Sequence, residues 1–352
     1  MDPRPALVLN AGSSSLKAAL LAADGAVLWR GQRPWRPEEA AAVLEAWLPE
    51  ALAPWLGGAE VATVLAFAGH RVVHGGERFT APTRLSEAVR AELAALVPLA
   101  PLHNGPALQL IDGLSRWAPE LPQWACFDTA FHATLPPEAR TYAIPPSWRQ
   151  AGLRRFGFHG LNHQHVAESV AGSDPGSRRL ISCHLGAGCS LCAVLDGRSI
   201  ATTMGFTPLE GLVMASRSGS VDPGLLLHQL RHGLGADAID HALHNESGLL
   251  GLSGLSGDMA TLRQAAADGH GGAALAIAVF RHRLRQEIGA MAACLGGVEV
   301  IALSGGIGEH DLLLRQELAA ELAWLGPFQL RVVAADEEGV IARSCRAAAT
   351  GG

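Results

Sequence analysis

Two hairpin patterns rich in glycine and serine lie half a chain apart, and they limit the folds open to this sequence. In each pattern an apolar run enters a turn of small residues and a second apolar run leaves it, which is typical of a β-hairpin. The runs cover residues 7–10 and 16–21 around the first turn, and residues 180–184 and 191–195 around the second. Gly188 follows Gly12 by 176 residues, half of the 352-residue chain. The spacing therefore predicts a duplicated unit that opens each half with a hairpin.

Helical patterns between short apolar runs indicate the α/β class. The apolar spacing predicts helices over residues 87–97, 275–295 and 312–325, and buried strands over residues 125–127 and 298–303. A third glycine-rich turn is predicted over residues 304–309. At about 150 residues per domain, the length suggests two domains. We expect a first lobe over residues 1–128, a second lobe over residues 129–331, and a return of residues 332–352 to the first lobe.

Composition excludes several classes of protein. The chain is 49% hydrophobic and 17% charged, with a formal net charge of −6, so it is neither a disordered chain nor a basic nucleic-acid binder. Its apolar runs are shorter than the roughly 18–20 residues of a membrane span, and its first residues lack a signal-peptide pattern. Six cysteines are too few and too irregularly spaced for a disulfide framework. We therefore expect a cytoplasmic protein without membrane or nucleic-acid partners.

One closely spaced cysteine pair, Cys189 and Cys192, lies in an alternating run that predicts a strand. A structural zinc site needs a second pair of ligands, which this sequence lacks. A metal or redox role for the pair is the alternative to a buried strand.

Lysine is almost absent from the chain. Of the 27 basic residues, Lys17 is the one lysine, and the others are arginine. An ammonium group on a flexible stem binds phosphate differently from a planar guanidinium. Because Lys17 follows the first glycine-serine turn by two residues, a specific phosphate contact is favoured over chance retention of one lysine.

Polar side chains concentrate in loops between the apolar runs. These loops cover residues 69–77, 101–104, 128–132, 157–160 and 217–219. Backbone N–H groups in a glycine-serine turn can surround an anion, and an arginine fork binds a carboxylate or phosphate through two hydrogen bonds. The pattern predicts a site for a phosphate group together with a small acid.

The common phosphate-binding motifs are missing. No G-x-x-x-x-G-K-[ST] sequence occurs, and neither residues 186–188 nor residues 306–308 complete G-x-G-x-x-G. A Walker P-loop is therefore excluded, and a dinucleotide fold is disfavoured. The architecture that remains is a duplicated α/β fold of two lobes with a central cleft, the actin- and hexokinase-like (ribonuclease H-like) arrangement shared with heat-shock ATPases.

Many motifs resemble those of the acetate kinase family, and the likeness spans the whole chain. The motifs are residues 10–17 (NAGSSSLK), 70–77 (HRVVHGGE), 127–132 (FDTAFH), 157–160 (GFHG), 183–186 (CHLG), 204–214 (MGFTPLEGLVM), 247–253 (SGLLGLS), 305–309 (GGIGE) and 336–338 (DEE). Such a set is far more specific than any one motif. The resemblance implies reversible phosphoryl transfer from ATP to acetate, giving acetyl phosphate and ADP by a direct in-line step.

The resemblance also implies a cofactor and an assembly. Mg²⁺, for which Mn²⁺ can substitute, would be held through water and the oxygen atoms of Asn10 and Glu337. The family is dimeric through the second lobe, so we expect a homodimer that takes acetate and ATP as small-molecule substrates. Glu337 has an alternative role, because an acid at the start of the segment 336–343 favours a helix N-terminus.

Four residues match the catalytic positions of the family: Arg71, Asp128, His159 and Arg217. The arginines match those placed on the carboxylate and the transferred phosphoryl group, where positioning and charge neutralisation are needed. A carboxylate nucleophile is already deprotonated, so we expect Asp128 to orient arginine and solvent rather than to act as a base. His159 is expected to donate a hydrogen bond to a phosphoryl oxygen, and His163 to be structural, because no third metal ligand lies nearby. The alternatives are a structural salt bridge for either arginine and a core histidine for His159.

Further residues match the phosphate, nucleotide and acetate contacts of the family. The phosphate and nucleotide residues are Ser13, Ser15, Lys17, His184, Gly186, Gly188, Asp258, Gly305, Gly306, Gly308 and Glu309. The small apolar acetate pocket is matched by Val73, Leu102, Phe158 and Pro208, with Arg71 as the charged partner. One extra methylene changes binding in such a pocket by only about 1–3 kcal/mol, so weaker use of propionate is expected.

Three positions depart from the family pattern. Ala187 and His310 stand where the family has asparagine, and Ala260 stands where it has arginine. All three belong to the nucleotide side, so they leave the identity and selectivity of the donor open, while the acetate chemistry is retained. The alternatives are pyrophosphate as donor, propionate or butyrate as acceptor, and a weakly active regulator that binds nucleotide.

Overall fold

The computed structural model describes residues 2–12, 15–35 and 43–350, and it describes only the backbone of Glu45, Pro101 and Leu102. The chain divides into two compact units. The first unit consists of Met1–Ala133 together with Asp336–Gly352, and the second of Thr134–Ala335. Each unit is built around its own β-sheet.

Six strands form the sheet of the first unit. They are β1 (Ala6–Ala11), β2 (Ser15–Leu21), β3 (Val27–Pro34), β4 (Phe67–Val72), β5 (Thr83–Arg84) and β6 (Gln123–Phe127). Their order in the sheet is β3-β2-β1-β4-β6-β5. β4 lies parallel between β1 and β6, whereas β1 with β2, β2 with β3 and β5 with β6 pair antiparallel. The first predicted hairpin is confirmed as β1 and β2.

Five strands form the sheet of the second unit. They are β7 (Arg179–Leu185), β8 (Cys189–Leu195), β9 (Arg198–Thr202), β10 (Val300–Ser304) and β11 (Gln329–Val332). Their order is β11-β10-β7-β8-β9. β10 lies parallel between β7 and β11, and β7, β8 and β9 pair antiparallel in sequence. The second predicted hairpin is confirmed as β7 and β8.

The two sheets repeat one topology. In each, three antiparallel strands in chain order are followed by two strands that pair parallel beside the first of them. β5 is an addition at the edge of the first sheet. The repeat confirms the duplication that the spacing of Gly12 and Gly188 predicts, and with it the α/β fold of the actin and hexokinase type.

Helices connect the strands of both units. Those of the first unit are Leu48–Leu56, Val61–Val64, Glu87–Ala95, Pro101–Trp117 and Glu337–Thr350. Those of the second unit are Pro137–Arg140, Pro146–Gln150, Gly160–Ser173, Pro223–Arg231, Ala236–Asn245, Gly248–Ser253, Met259–Ala267, Gly271–Leu295, Gly305–His310 and Leu312–Glu321. A π-helical turn covers Val43–Trp47, and 3-10 turns cover Val97–Leu99, Ala130–Thr134 and Ala323–Leu325. Within the described residues, none of these helices has both the length and the apolarity needed to cross a membrane.

The three predicted helices are present with shifted ends. The helix Glu87–Ala95 stops before Pro98, which cannot donate a backbone hydrogen bond and lies in a 3-10 turn instead. The helix Gly271–Leu295 begins earlier than predicted because the side chain of His270 caps it, with Nδ1 accepting from Ala273 N over 3.0 Å.

The predicted glycine-rich turn at residues 304–309 is wrong, because the segment is the short helix Gly305–His310. Gly305 has a φ of 78°, which redirects the chain at the end of β10. A Cβ on Gly305 would lie 2.8 Å from the carbonyl oxygen of Leu185, so the position also has no room for a side chain.

Alternating residues of the central strands build the core of the first unit. Its buried apolar cluster includes Leu7, Leu9, Leu16, Leu20, Ala68, Leu110 and Leu114. Gly69 follows Ala68 on β4 and therefore faces the other side of the sheet. A Cβ on Gly69 would lie 2.6 Å from Ile341 Cγ2. The missing side chain thus lets the helix Glu337–Thr350 pack directly against β4.

His70 is a buried histidine of β4 that makes stability depend on pH. It is 1% exposed, and its Nε2 lies 2.8 Å from Gln123 Oε1, which can only accept. Burial lowers the pKa of His70 from 6.5 to about 4, although the Gln123 hydrogen bond opposes this shift. Between these values the unfolded chain binds a proton that the folded chain does not, so stability is lost as the pH falls.

We expect His70 to destabilise the fold by about 2 kcal/mol when the pH falls from about 7 to about 5. Urea unfolding at the two pH values measures this loss. In His70→Gln the loss should shrink by a similar amount, because glutamine does not titrate. An equal pH dependence of the two proteins would contradict the assignment.

Candidate active site

Parallel pairing brings three polar residues of the first unit to one edge of its sheet. Asn10 is next to last in β1, Arg71 is next to last in β4, and Asp128 directly follows β6. Because β1, β4 and β6 are parallel, their carboxyl ends meet at this edge. In open α/β sheets, ligands bind outside the carboxyl ends of the strands.

Arg71 is held by three side chains. Its Nε donates to Asp128 Oδ1 over 2.9 Å, and its Nη2 donates to Asp128 Oδ2 over 2.6 Å. Its Nη1 donates to Asn10 Oδ1 over 3.2 Å and lies 3.7 Å from Glu337 Oε2. Asn10 Nδ2 donates to the same Glu337 oxygen over 3.2 Å. The Asp128 side chain is 2% exposed and that of Arg71 is 17% exposed, so a buried carboxylate fixes a guanidinium that solvent still reaches.

Opposing charges keep Arg71 protonated. Burial lowers the pKa of the guanidinium, but the charges of Asp128 and Glu337 outweigh burial and raise this pKa above its ordinary value. With both carboxylates ionised, the cluster carries one negative charge in excess. This balance favours a bound cation.

Asn10 and Glu337 present oxygen atoms of the kind that the Mg²⁺ site implied by the family resemblance requires. Mg²⁺ prefers oxygen ligands, keeps several waters, and takes one or two carboxylates together with substrate phosphates. Across the described part of the chain, no group of three or more histidine, cysteine or acidic side chains is arranged to hold a metal ion. An ion at Asn10 and Glu337 would therefore take its other ligands from water and substrate.

Glu337 also fulfils the alternative prediction. It is the first residue of the helix Glu337–Thr350, and Glu338 lies in the same first turn. Negative charge there is favourable beside the helix N-terminus. The residue thus has a local structural role in addition to its contacts with Asn10 and Arg71.

The first hairpin places Lys17 opposite Asn10. The two residues pair in the β1–β2 register, so both side chains project from the same face of the sheet. Lys17 is exposed, and Ser15 is partly buried at the first position of β2. Gly12 N donates to the Ser15 carbonyl oxygen over 2.9 Å and closes the turn. Ser13 lies outside the described residues.

In the second unit, His159 has an unusual backbone conformation at the start of the helix Gly160–Ser173. Its φ of 56° lies in the left-handed region, which non-glycine residues rarely adopt. Such strain persists only where the surrounding structure enforces it, and it clusters at functional sites. The side chain is held by Ser190, whose Oγ lies 2.9 Å from Nδ1, and its ring centroid lies 4.3 Å from that of His184.

Gly188 lies directly beside His159 and Arg217. A Cβ at this position would be 2.7 Å from Arg217 Nη2 and 3.1 Å from His159 Nε2, so a side chain would displace both. Arg217 Nη1 donates to the Pro208 carbonyl oxygen over 2.7 Å, and Gly186 N donates to the Gly188 carbonyl oxygen over 3.0 Å. The fold therefore brings both predicted catalytic residues of this unit to the glycine turn between β7 and β8.

The remaining predicted nucleotide residues lie at helix starts. They are Gly305, Gly306, Gly308 and Glu309 in the helix Gly305–His310, and Asp258 before the helix Met259–Ala267. Glu309 Oε1 accepts from Gly305 N over 2.9 Å and from Ala335 N over 3.0 Å. Asp258 Oδ1 accepts from Thr261 N over 2.8 Å, a hydrogen bond that helps to lower the pKa of Asp258. Both carboxylates thus accept hydrogen bonds from backbone N–H groups, a role that the sequence did not predict.

The residues predicted for the acetate pocket are divided between the two units. Val73 directly follows β4 and is buried in the first unit, whereas the side chain of Leu102 lies outside the described part of the chain. Phe158 is buried and Pro208 is partly buried in the second unit.

Sequence reasoning missed the buried serines behind His159. Ser190 bonds His159 and also lies 2.8 Å from His163 Nε2, while Ser182 lies 2.8 Å from His163 Nδ1. Alternation along the two strands is the signal that would have found them, because it places Ser182 and Ser190 on the same face as His184.

Cys189 and Cys192 lie on β8, as the strand prediction requires. Both are buried free thiols, and burial raises the pKa of each to about 12. Thiolate chemistry is therefore disfavoured at both positions.

The repeated fold, with an arginine–carboxylate cluster in one unit and a histidine–glycine–arginine cluster in the other, is that of a phosphotransferase. Residues 57–345 match the model of the acetokinase family. The chain belongs to this family and is a kinase.

Individual relatives agree with this assignment. An acetate kinase of Synechococcus sp. is 41% identical over 394 aligned positions, which cover 97% of this chain and 98% of that protein. The crystal structure of Porphyromonas gingivalis acetate kinase has a TM-score of 0.89 at 31% identity and covers 98% of this chain and 99% of that one. A propionate kinase from Francisella tularensis has a TM-score of 0.88 at 32% identity, covering 97% and 98% of the two chains.

Proposed function

We propose that this chain catalyses the reversible transfer of the γ-phosphoryl group of ATP to acetate, giving acetyl phosphate and ADP. The observation that carries the proposal is the guanidinium of Arg71, fixed by Asp128 and still reached by solvent, in a chain similar over nearly its whole length to an acetate kinase. A guanidinium fork presented in this way recognises a carboxylate or a phosphoryl group.

The acceptor is a small carboxylate. Its charge is met by Arg71, and the apolar Val73, buried directly after β4 in the same unit, disfavours a bulky or polar substituent beside the carboxyl group. Discrimination by one methylene is worth only about 1–3 kcal/mol, so propionate is a poorer acceptor rather than an excluded one. The likeness to a propionate kinase, 32% identical, supports propionate as an acceptor.

The chemical step needs no general base, because the attacking carboxylate is ionised at neutral pH. Asp128 keeps the Arg71 guanidinium charged and fixes its orientation through two hydrogen bonds. Arg217, whose Nη1 is anchored on the Pro208 carbonyl oxygen, neutralises charge on the transferring phosphoryl group. His159 donates a hydrogen bond from Nε2 to a phosphoryl oxygen, and the missing side chain of Gly188 lets His159 and Arg217 lie close together.

Asn10 and Glu337 would hold Mg²⁺ through oxygen atoms and water, with Mn²⁺ as a substitute. When bound, the ion neutralises the β- and γ-phosphate oxygens of the donor. Lys17, on the same face as Asn10, adds a second positive charge for the phosphates.

Arg217→Ala should lower kcat for acetyl phosphate formation by about 100-fold or more, because the lost charge acts mainly in the transition state. Hydroxamate trapping of acetyl phosphate measures the rate with ATP and with acetate or propionate. Arg331→Ala is the matched control, since Arg331 is also a partly buried arginine of the second unit and pairs with Asp174. Its kcat should stay near that of the unsubstituted protein.

Near-normal turnover in Arg217→Ala would contradict the role of this arginine. The absence of acetyl phosphate formation by the unsubstituted protein, with every donor and acceptor, would instead favour a nucleotide-binding regulator. Faster turnover with pyrophosphate than with ATP would reassign the donor.

The donor side has lost polar groups that the family resemblance leads one to expect. Ala187 lies in the turn between β7 and β8, Ala260 in the first turn of Met259–Ala267, and His310 ends Gly305–His310. All three residues are exposed in the second unit. We infer that phosphate recognition is retained while nucleoside recognition is weak.

GTP and other triphosphates should therefore compete with ATP almost equally, because each missing hydrogen bond removes roughly 0.5–1.5 kcal/mol of selectivity. Introducing Ala187→Asn and Ala260→Arg together should lower KM for ATP and leave KM for acetate unchanged. Steady-state kinetics with a panel of nucleotides tests both statements. Strong discrimination against GTP by the unsubstituted protein would mean that other residues bind the nucleoside.

The second unit also presents a surface suited to a second copy of the chain. Five apolar residues between 221 and 234 are each at least 38% exposed, namely Val221, Leu225, Leu227, Leu230 and Leu234. Exposed apolar side chains concentrated in one segment mark association surfaces, and the family resemblance indicates a second copy of the chain as the partner. We propose that this surface forms the interface of a homodimer.

Leu227→Glu combined with Leu230→Glu should convert the dimer into a monomer, because two charges on each copy would have to be buried without partners. Light scattering coupled to size-exclusion chromatography gives the mass. Leu312→Glu is the control, since Leu312 is 62% exposed but lies outside this surface. A dimer that survives both substitutions would place the interface elsewhere.

A further inference from the structure

A continuous hydrogen-bonded chain runs inward from His159 through the second unit. His159 Nδ1 lies 2.9 Å from Ser190 Oγ, and the same oxygen lies 2.8 Å from His163 Nε2. On the far side of the ring, His163 Nδ1 lies 2.8 Å from Ser182 Oγ. Ser182, Ser190 and His163 are fully buried, whereas His159 is 9% exposed. One end of this hydrogen-bonded chain, His159, thus lies at the candidate site, and the other end, Ser182, lies in the core.

The fold determines this arrangement. In the β7–β8 register, Ser190 pairs with His184 and Ser182 pairs with Cys192, so both serines project from one face of the sheet. His163 lies four residues after His159, in the helix Gly160–Ser173, and this spacing puts both rings on the same side of the helix. His163 therefore reaches serines on two neighbouring strands at once.

For neutral imidazoles, counting protons gives two kinds of order, which differ in the tautomer of His159. A neutral imidazole has one donor and one acceptor nitrogen, and a serine hydroxyl has a single hydrogen to donate. If Ser190 donates to His159 Nδ1, it accepts from His163 Nε2, and Ser182 then donates to His163 Nδ1. In the other kind of order, His159 donates from Nδ1 to Ser190, whichever role Ser190 then takes toward His163, and Nε2 of His159 carries a lone pair.

The surroundings of His159 Nε2 select between the two orders. This nitrogen lies beside Gly188, because a Cβ there would be 3.1 Å from it and 2.7 Å from Arg217 Nη2. A phosphoryl oxygen bound at Nε2, as the proposed function requires, carries negative charge and needs an N–H donor rather than a lone pair. The first order provides the donor.

We propose that His163 is a positioning residue which, acting through Ser190, keeps the proton of His159 on Nε2. The inference rests on the proposed phosphoryl transfer, because the need for a donor at Nε2 comes from that reaction. His163 then has a defined role beyond that of a core histidine. His163 contacts neither substrate nor reacting atoms. It acts by fixing the orientation and the tautomer of the His159 ring, which contacts them.

Nitrogen NMR of the protein with labelled histidine tests the tautomer without any substrate. The His159 signals, assigned from their loss in His159→Asn, should show a protonated Nε2 and an Nδ1 that accepts a hydrogen bond. In Ser190→Ala, the Nδ1 signal should shift to that of a nitrogen without a hydrogen-bond donor. A proton on Nδ1 of His159 in the unsubstituted protein would overturn the proposal.

Kinetics test the consequence for catalysis. Ser190→Ala and His163→Leu should each lower kcat roughly tenfold, the effect of one lost hydrogen bond, with KM for acetate and ATP changed by less than about twofold. Ser190→Thr keeps the hydroxyl, and His163→Gln keeps an N–H donor toward Ser190, so each should recover a large part of kcat. Ser199→Ala is the control for loss of a buried hydroxyl, since Ser199 lies on the neighbouring β9 and is fully buried. Its kcat should be unchanged.

The outcomes separate the two proposals. Acetyl phosphate formation with an unaltered kcat in folded Ser190→Ala would reject the positioning role and leave the proposed function intact. If the unsubstituted protein forms no acetyl phosphate, the proposed function fails, and the NMR result then decides the proton order by itself. Should His163→Leu fail to fold, the alanine and threonine variants of Ser190 carry the kinetic test.

Discussion

The parallel pairing of three strands in the first unit is the constraint on which its candidate site depends. β4 lies between β1 and β6, and the register fixes where each strand ends. A shift of one residue would turn Arg71 to the other face of the sheet, because side chains alternate along a strand. The ion pair with Asp128 would then be lost. The hydrophobic pattern that sets the register for packing thus also sets the geometry of the arginine.

That ion pair has energetic consequences for the whole first unit. Asp128 is almost completely buried, and a buried carboxylate without its partner typically destabilises a protein by about 3–5 kcal/mol. The requirement ties together β4, the end of β6 and the helix Glu337–Thr350, since Glu337 lies beside the same guanidinium. Gly69 allows this helix to approach the sheet closely enough to bring Glu337 there. The close packing of this helix on the sheet and the charge pairing of Arg71 therefore depend on one another.

The second unit has the strand order of the first, but its candidate site depends on a different physical constraint. Its cluster depends on a missing side chain, because a Cβ on Gly188 would displace both Arg217 and His159. It also depends on a histidine in the left-handed backbone region, which its hydrogen bond to Ser190 and its contact with the His184 ring help to hold. One repeated topology thus supports an arginine–carboxylate ion pair in one half of the chain and a histidine beside a glycine turn in the other.

The sequence by itself determined the duplication, both hairpins, three of the helices and the membership of a kinase family. Those features follow from local periodicity, from glycine turns and from motifs that span the chain, none of which requires a distant contact. The tertiary structure alone decided that Asn10 bonds Glu337, 327 residues away, because such a contact depends on where the last helix returns. It also decided that residues 305–310 form a helix, since Glu309 satisfies backbone donors of both Gly305 and Ala335. His163 joins two strands through their serines only after the sheet and the helix have packed, which is why its role could not be read from the spacing of the two histidines.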